Sequence, residues 1–137
     1  MKDQLDPRLL KGIEEFNQGL FFECHETLEE IWLEEHGKDR EFYQGIIQIA
    51  AGYFKWEQGV LIGAIKLWRA GLEKLSAYPP IHLGVNLGSF IEGVKDNLNE
   101  IEVAYQKKGD SPALRVPVLA CSARKLGGDR GPRTDDG

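Results

Sequence analysis

The chain has 137 residues, of which 42% are hydrophobic and 28% are charged, and its formal net charge is −5. These values are typical of one globular domain that is long enough to bury a core. The segment from Ser111 onward carries five basic and three acidic residues, so the preceding body is more acidic than the whole chain. An acidic body argues against a nucleic-acid partner, which would require a basic face.

Cysteine content and hydropathy predict the compartment. Cys24 and Cys121 are too few for a disulfide framework, so we interpret them as free thiols, the first on a helix core face and the second in a loose tail. The longest apolar run, residues 46–54, contains Gln48 and is too short to span a bilayer. The first residues do not resemble a signal peptide. We therefore expect a cytoplasmic protein without a membrane segment.

Two helices are predicted in the first third of the chain. Asp6 followed by Pro7 indicates a helix start, and a 3–4 spaced apolar stripe extends this first helix to about Gln18. The second helix covers Phe21–Glu35. Gly37 is expected to end it in the position after the cap.

The third predicted helix, about Arg40 to Gln58, is apolar on most of its circumference. Such a helix belongs in the middle of a bundle. Gly45 and Gly52 are seven residues apart on one side and cost helix propensity, which predicts that a neighbouring helix approaches closely there. The remaining face is a polar seam.

Two further helices and a tail complete the prediction. The fourth helix covers about Leu61 to Ser76, and Tyr78-Pro79-Pro80 enforces an extended link after it. The fifth helix starts at Asn86, a plausible cap, and reaches about Lys107. The three tryptophans are interpreted as core residues.

The predicted domain covers residues 1–110 and the predicted tail covers residues 111–137. Proline and glycine interrupt the tail, and it has little periodicity. We expect Ser111–Ala123 to be extended and Arg124–Gly137 to be disordered.

An internal repeat points to the architecture. Gln18-Gly19-Leu20-Phe21 and Gln58-Gly59-Val60-Leu61 correspond at an offset of 40, and a small residue, Cys24 or Ala64, follows each glycine by five positions. This pattern resembles the tetratricopeptide helix hairpin. The sequence therefore predicts an all-α fold, a compact bundle of about five helices made of two tetratricopeptide-like hairpins and a closing helix.

Several motifs in the same order resemble the DUF309 family, a group of small bacterial and archaeal helical proteins of unknown function. The motifs are Phe16-Asn17-x-Gly19, Phe22-Glu23-Cys24-His25-Glu26, Leu28-Glu29-x-x-Trp32, Phe42-x-Gln44-Gly45-x-Ile47-Gln48-x-Ala50-Ala51-Gly52, Gly63-Ala64 and Tyr78-Pro79-Pro80. The resemblance covers roughly Asp6 to Tyr105. It implies a compact all-α fold. It also implies a possible hydrolase activity, because the family has been labelled a predicted metal-dependent hydrolase.

The candidate site centres on His25 and Glu29. At 100° per residue, both lie inside the arc that should be covered, while most glutamates of this helix lie on the opposite side. Their spacing of four residues brings them within touching distance. A partly buried His–Glu pair is predicted to orient the imidazole and could act as a general-base dyad.

A divalent metal is one possible occupant of this site. His25-Glu26-x-x-Glu29 resembles the zinc motif His-Glu-x-x-His with glutamate in place of the second histidine, so His25 and Glu29 could be ligands. A catalytic zinc requires about three protein ligands. Gln44 and Gln48 are poor ligands for zinc, and no third strong ligand is evident.

A binding site and a structural network are the other two interpretations. A small polar ligand could be held by His25 and Glu29 together with Glu26, Gln44 and Gln48. Alternatively, His25, Glu29 and Gln48 could satisfy one another where the second and third helices meet.

We expect a binding or protein-interaction module whose partner is an unknown protein or a small polar ligand. The alternative is a hydrolase that uses a metal or the His–Glu dyad. A homodimer is possible, because the third and fifth helices carry more apolar surface than a small bundle covers.

Overall fold

The computed structural model describes residues 5–122 of the chain. Five helices follow one another, with a two-stranded hairpin before the last. Their bounds are α1 Pro7–Asn17, α2 Phe21–Glu34, α3 Arg40–Glu57, α4 Leu61–Leu75, β1 Ile81–His82, β2 Val85–Asn86 and α5 Leu87–Gln106. The fold is therefore all-α, as predicted, apart from an antiparallel hairpin where an extended link was predicted.

Two helix starts have the predicted caps. The Asp6 side chain accepts a hydrogen bond from the Arg8 backbone N–H at 2.9 Å, with Pro7 in the first turn. The Asn86 side chain accepts one from the Ser89 backbone N–H at 3.2 Å. Both caps satisfy backbone donors that the helix itself leaves without partners.

The predicted end of α2 at Gly37 is wrong. The helix ends at Glu34, with Glu35 as its cap. The guanidinium of Arg40 donates to the carbonyl oxygens of Trp32 and Glu35 at 2.6 and 2.8 Å. A cation at this end also complements the helix dipole, so the C-terminus of α2 is capped by a side chain rather than by a glycine.

The close approach predicted at the α3 glycines is confirmed. A Cβ atom on Gly52 would lie 2.4 Å from the indole of Trp68, and one on Gly45 would lie 2.8 Å from Leu75. Both neighbours belong to α4. Trp68 is fully buried and donates from Nε1 to the carbonyl oxygen of Ile49 at 3.1 Å, so α3 and α4 lock together through a glycine-lined contact.

The repeat predicted from the sequence is present in the backbone. Gly19 and Gly59 have φ of +80° and +79°, a conformation that favours glycine. The residues after them, Leu20 and Val60, have φ/ψ of −90°/69° and −94°/78°. The turns that precede α2 and α4 therefore have the same conformation.

Residues 111–121 have no helix, but they lie against the bundle. Leu119 is fully buried, and Cys121 is buried and forms a bridge with Val85. The expectation that Cys121 lies in a loose tail is therefore wrong, while the expectation of disorder for Arg124–Gly137 falls outside the described residues. Within residues 5–122, no helix combines the length and the apolar character needed to cross a membrane.

Candidate functional site

His25 and Glu29 project from α2 four residues apart, and both side chains are half-buried. Glu26, beside His25 in the sequence, is exposed. Among the described residues no hydrogen bond joins His25 to Glu29, and Nδ1 of His25 is buried without a partner. The predicted dyad is therefore not formed.

Two contacts between α2 and α3 define how these antiparallel helices align. Near the start of α2, the rings of Phe22 and Phe54 have centroids 5.3 Å apart. Near its end, the guanidinium of Arg40 lies 4.1 Å from the centroid of the Trp32 ring. Residues between these contacts pair in reverse order along the two helices.

This alignment brings the predicted polar residues of the two helices to the same levels. His25 lies within about one turn of Gln48 along the axis, and Glu29 lies within about one turn of Gln44. Both glutamines are half-buried, and Oε1 of Gln48 is buried without a hydrogen-bond partner among the described residues. The predicted network, in which His25, Glu29 and Gln48 satisfy one another, is wrong because two of its atoms remain unpaired.

Trp32 lies on the same face of α2 as His25, and the sequence pattern identified it only as a core residue. Its Nε1 is buried and has no hydrogen-bond partner among residues 5–122. Trp32 lies seven residues after His25, which is two helical turns along one face. The position of Trp32 on the helical wheel, on the same side as His25, could have identified it. The large apolar area of its indole favoured the interpretation as a core residue instead. We call His25, Glu29, Trp32, Gln44 and Gln48 the polar seam.

The polar seam presents both donor and acceptor atoms that have no hydrogen-bond partner among the described residues. Trp32 Nε1 is a donor only, Gln48 Oε1 is an acceptor only, and the imidazole nitrogen of His25 is either, depending on its tautomer. A buried polar atom without a hydrogen bond costs about 1–3 kcal/mol. Two such atoms on one face of α2 and a third on α3 are unusual, since most buried polar groups in native proteins are paired. The fourth buried atom of this kind, Glu15 Oε1, lies on α1.

The chemistry expected of a metal hydrolase has little support at this place. Within residues 5–122, no group of three or more His, Cys, Asp and Glu side chains is arranged to hold a metal ion. Cys24 is not an available nucleophile either. Burial, with the carboxylate of Glu15 nearby, raises the pKa of the Cys24 thiol to about 12, so it stays protonated at neutral pH.

A histidine–carboxylate pair does exist, but between two residues that are far apart in the sequence. His82 Nε2 lies 2.7 Å from Asp39 Oδ1, and the ring of His82 packs between those of Phe42 and Tyr78, with centroids 4.9 and 4.7 Å away. Because Asp39 faces His82, the Tyr78 hydroxyl takes over the capping of α3 and accepts from the Phe42 backbone N–H at 3.0 Å. The pair fastens β1 to the start of α3.

Residues 9–67 match the model of a family described as a domain of unknown function, DUF309. The match confirms the DUF309 resemblance. A protein of Aquifex aeolicus (strain VF5), described as uncharacterized, is 28% identical to the chain over 102 residues. The alignment covers 69% of this chain and 31% of that relative, so the chain spans about a third of the relative's length.

The DUF309 match contains the whole polar seam. It runs from α1 into α4, so it includes both repeated turns and the contact between α2 and α3. Tyr78-Pro79-Pro80, α5 and residues 111–122 lie beyond the matched residues. The polar seam is therefore placed in the part of the chain that DUF309 describes.

Proposed function

We propose that this chain is a binding module that holds a peptide segment of a partner protein at the polar seam. The observation that carries this proposal is the set of three buried polar atoms on His25, Trp32 and Gln48 that lack hydrogen-bond partners. Unpaired buried atoms lower the free energy of unfolding. A ligand that forms hydrogen bonds with them would raise that free energy again. Binding sites are places where stability is given up in this way.

A peptide fits the polar seam better than a ligand that only donates or only accepts hydrogen bonds. Every peptide unit carries an N–H donor and a C=O acceptor, which match the Gln48 Oε1 acceptor and the Trp32 Nε1 donor. The side chains of His25 and Gln48 are half-buried, so each reaches solvent with part of its atoms. Because the unpaired atoms have no bond to break, rotation of these side chains toward a ligand costs little.

Charge favours a neutral or basic partner. The exposed face of α2 carries glutamates, among them Glu23, Glu26 and Glu30, and the chain has a net charge of −5. Complementary charge accelerates association and selects partners more than it adds affinity. A basic peptide would therefore bind faster than an acidic one, and the difference would shrink with added salt.

The repeated turns support a tetratricopeptide-like scaffold for this module. Gly19 and Gly59 begin α2 and α4 with the same backbone conformation, and α3 packs on both of these helices. Stacked helix hairpins of this kind present extended surfaces that bind peptides. The polar seam lies where the first hairpin, α1 and α2, meets the second, α3 and α4.

We place the protein in the cytoplasm as part of the same proposal. Cys24 and Cys121 are both free and buried thiols. Unpaired cysteines persist in reducing compartments, whereas small secreted domains pair theirs.

Selection of a random peptide library on the immobilised full chain tests the proposal. Selected peptides should bind His25→Ala and Gln48→Met at least tenfold more weakly than the wild type. The exposed residues His36 and Gln58 provide matched controls, since His36→Ala and Gln58→Met should bind as the wild type does. Peptides that bind all four variants equally would refute the proposal.

Elemental analysis of the same tag-free preparation separates this function from the alternative. Near-stoichiometric zinc, iron or manganese in the wild type, lost in His25→Ala and kept in His36→Ala, would support a metal-dependent hydrolase instead. A metal-free wild type that binds selected peptides supports the module.

A further inference from the structure

The segment of residues 111–122, which we call the strap, is held by its main chain. Asn17 on α1 donates from Nδ2 to the Leu119 carbonyl oxygen at 3.0 Å and accepts at Oδ1 from the Leu119 N–H at 2.8 Å. Trp56 on α3 donates from Nε1 to the Pro112 carbonyl oxygen at 2.8 Å. Two side chains of the bundle therefore bind peptide groups that almost any sequence would offer.

Side chains of the strap alternate between the bundle and solvent. Leu114 and Val116 are half-buried against the core, and Leu119 is fully buried. Arg115 and Val118 between them are exposed, the latter by 66%. The period of two that is typical of an extended strand therefore holds on each side of Pro117, and the register shifts by one residue there because Val116 and Pro117 are both half-buried.

The strap also packs tightly against α5 and pairs with the edge of the β1–β2 hairpin. A Cβ atom on Gly93 of α5 would lie 2.5 Å from Cβ of Pro117, so Pro117 rests directly on the helix backbone. Further along, the N–H of Asn86 in β2 donates to the Ala120 carbonyl oxygen at 2.9 Å. The strap therefore extends the hairpin as an added strand, which is a common mode of peptide recognition. We call the surface formed by Asn17, Trp56, Gly93 and β2 the strap groove.

The linker before the strap allows it to leave without unfolding a helix. Residues 107–110 are exposed. Lys108 has φ of +56°, and the Gly109 N–H donates to the Ala104 carbonyl oxygen at 2.9 Å, a left-handed turn that closes the C-terminus of α5 without the strap. Release of the strap would therefore break mainly contacts of the strap itself.

We propose that the strap groove is a peptide-binding site that the chain's own strap occupies. Its external partner is an extended protein segment with a small or proline residue opposite Gly93 and apolar residues at alternate positions on each side of it. This inference does not rest on the polar seam, which involves other residues of α2 and α3. A tethered segment competes at an effective concentration on the order of millimolar, so the wild type should bind such a partner only when the strap is released.

A complementary pair of substitutions at Gly93 and Pro117 tests the proposal in the full chain. Gly93→Ala adds a Cβ that clashes with the strap's proline while leaving Asn17 and Trp56 in place, and alanine suits a helix better than glycine. The probes are fluorescein-labelled peptides of residues 111–122 with serine replacing Cys121, one native at position 117 and one with Pro117→Gly. By fluorescence polarisation, the Gly93→Ala chain should bind the Pro117→Gly peptide at least tenfold more tightly than the native peptide. It should also bind that peptide at least tenfold more tightly than the wild-type chain does, and adding Asn17→Ala should abolish the gain.

A second variant, with its substitution in the strap itself, tests the proposal independently of Gly93. Leu119→Ala releases the strap by removing its buried anchor, so this chain should bind the native peptide at least tenfold more tightly than the wild type. The indole N–H signal of Trp56 reports whether the strap has left. Released chains that bind neither peptide overturn the proposal, and so does a strap that stays in place in both variants, because the groove would then be permanently filled. A wild-type dimer by light scattering that Asn17→Ala abolishes also overturns it, since the occupant would then be a second copy.

Discussion

Replacing Gln48 by methionine should stabilise the unliganded protein. The substitution keeps the length of the side chain and removes the amide whose Oε1 is buried without a partner. An unsatisfied buried polar group costs about 1–3 kcal/mol, and methionine adapts well to irregular gaps. Because part of the Gln48 side chain reaches solvent, we take the low end and expect a gain of about 1 kcal/mol in the free energy of unfolding. For a domain of this size, that gain corresponds to about 3–5 °C in Tm.

Urea unfolding monitored by circular dichroism measures this change. The midpoint should rise for Gln48→Met with an unchanged m value, which shows that stability and not the unfolded state has changed. Gln58→Met replaces an exposed glutamine at the end of the same helix and should stay within about 0.5 kcal/mol of the wild type. A loss of 1 kcal/mol or more in Gln48→Met would refute the reasoning, because the amide would then be making structural hydrogen bonds.

Three further predictions concern the scaffold. Gly52→Ala should lower the free energy of unfolding by about 1–3 kcal/mol in urea, since the new Cβ would lie 2.4 Å from the Trp68 indole and overpack the contact between α3 and α4. Tyr78→Phe removes the hydroxyl that caps the Phe42 N–H and should cost about 1–2 kcal/mol, seen as a lower thermal midpoint. Stability should fall as pH rises above about 9, because burial raises the pKa of the Cys24 thiol from 9.0 to about 12, so that the unfolded state loses the proton first. The slope should reach at most about 1.4 kcal/mol per pH unit for this group in urea titrations between pH 8 and 11.

Each of these predictions has a matched comparison. Gly63→Ala introduces a Cβ no closer than 3.3 Å to its neighbour Val60, so it should be neutral or stabilising; equal losses at both glycines would contradict the packing argument. Tyr105→Phe, at a half-exposed tyrosine, should leave the midpoint unchanged. Cys24→Val should reduce the alkaline slope most clearly between pH 9 and 10, because the buried Tyr43 and Tyr53, whose pKa values burial also raises, add to the slope at higher pH; an unchanged slope in that range would contradict the role of Cys24.

The helices and their closest contact could be predicted from the sequence because they depend on periodic and local patterns of residues. The apolar stripes predicted all five helices, and two helix-breaking glycines on the most apolar one, Gly45 and Gly52, predicted a close neighbour. The caps at Asp6 and Asn86 need only residues one turn away. Interactions of this kind are decided within a few residues of the chain.

Contacts between distant residues were not readable. His82 and Asp39 are 43 residues apart, and no periodicity links them. The bonds that hold the strap come from Asn17, 102 residues away from Leu119, and the strap itself is a short run with prolines that gives no helical signal. Arg40 caps α2 in place of Gly37 because a long side chain folds back across the turn.

The helical wheel was sufficient to place His25 beside Glu29 but not to join them. A spacing of four residues brings Cβ atoms to about 5–6 Å, and the side-chain rotamers then decide whether a hydrogen bond forms. Burial of an unpaired atom on Trp32 depends in turn on how closely Arg40 covers its ring. The sequence therefore located the polar seam and misjudged its bonding.

The indole N–H signals of the three tryptophans test the polar seam most directly. Trp56 and Trp68 donate to the carbonyl oxygens of Pro112 and Ile49, whereas Nε1 of Trp32 has no partner among residues 5–122. A selected peptide titrated into the nitrogen-15-labelled full chain should shift the Trp32 signal downfield with saturation, as a new hydrogen bond forms, and leave Trp68 unchanged. A Trp32 signal that stays in place while the peptide saturates the chain, with or without movement of Trp56, would contradict binding at the polar seam.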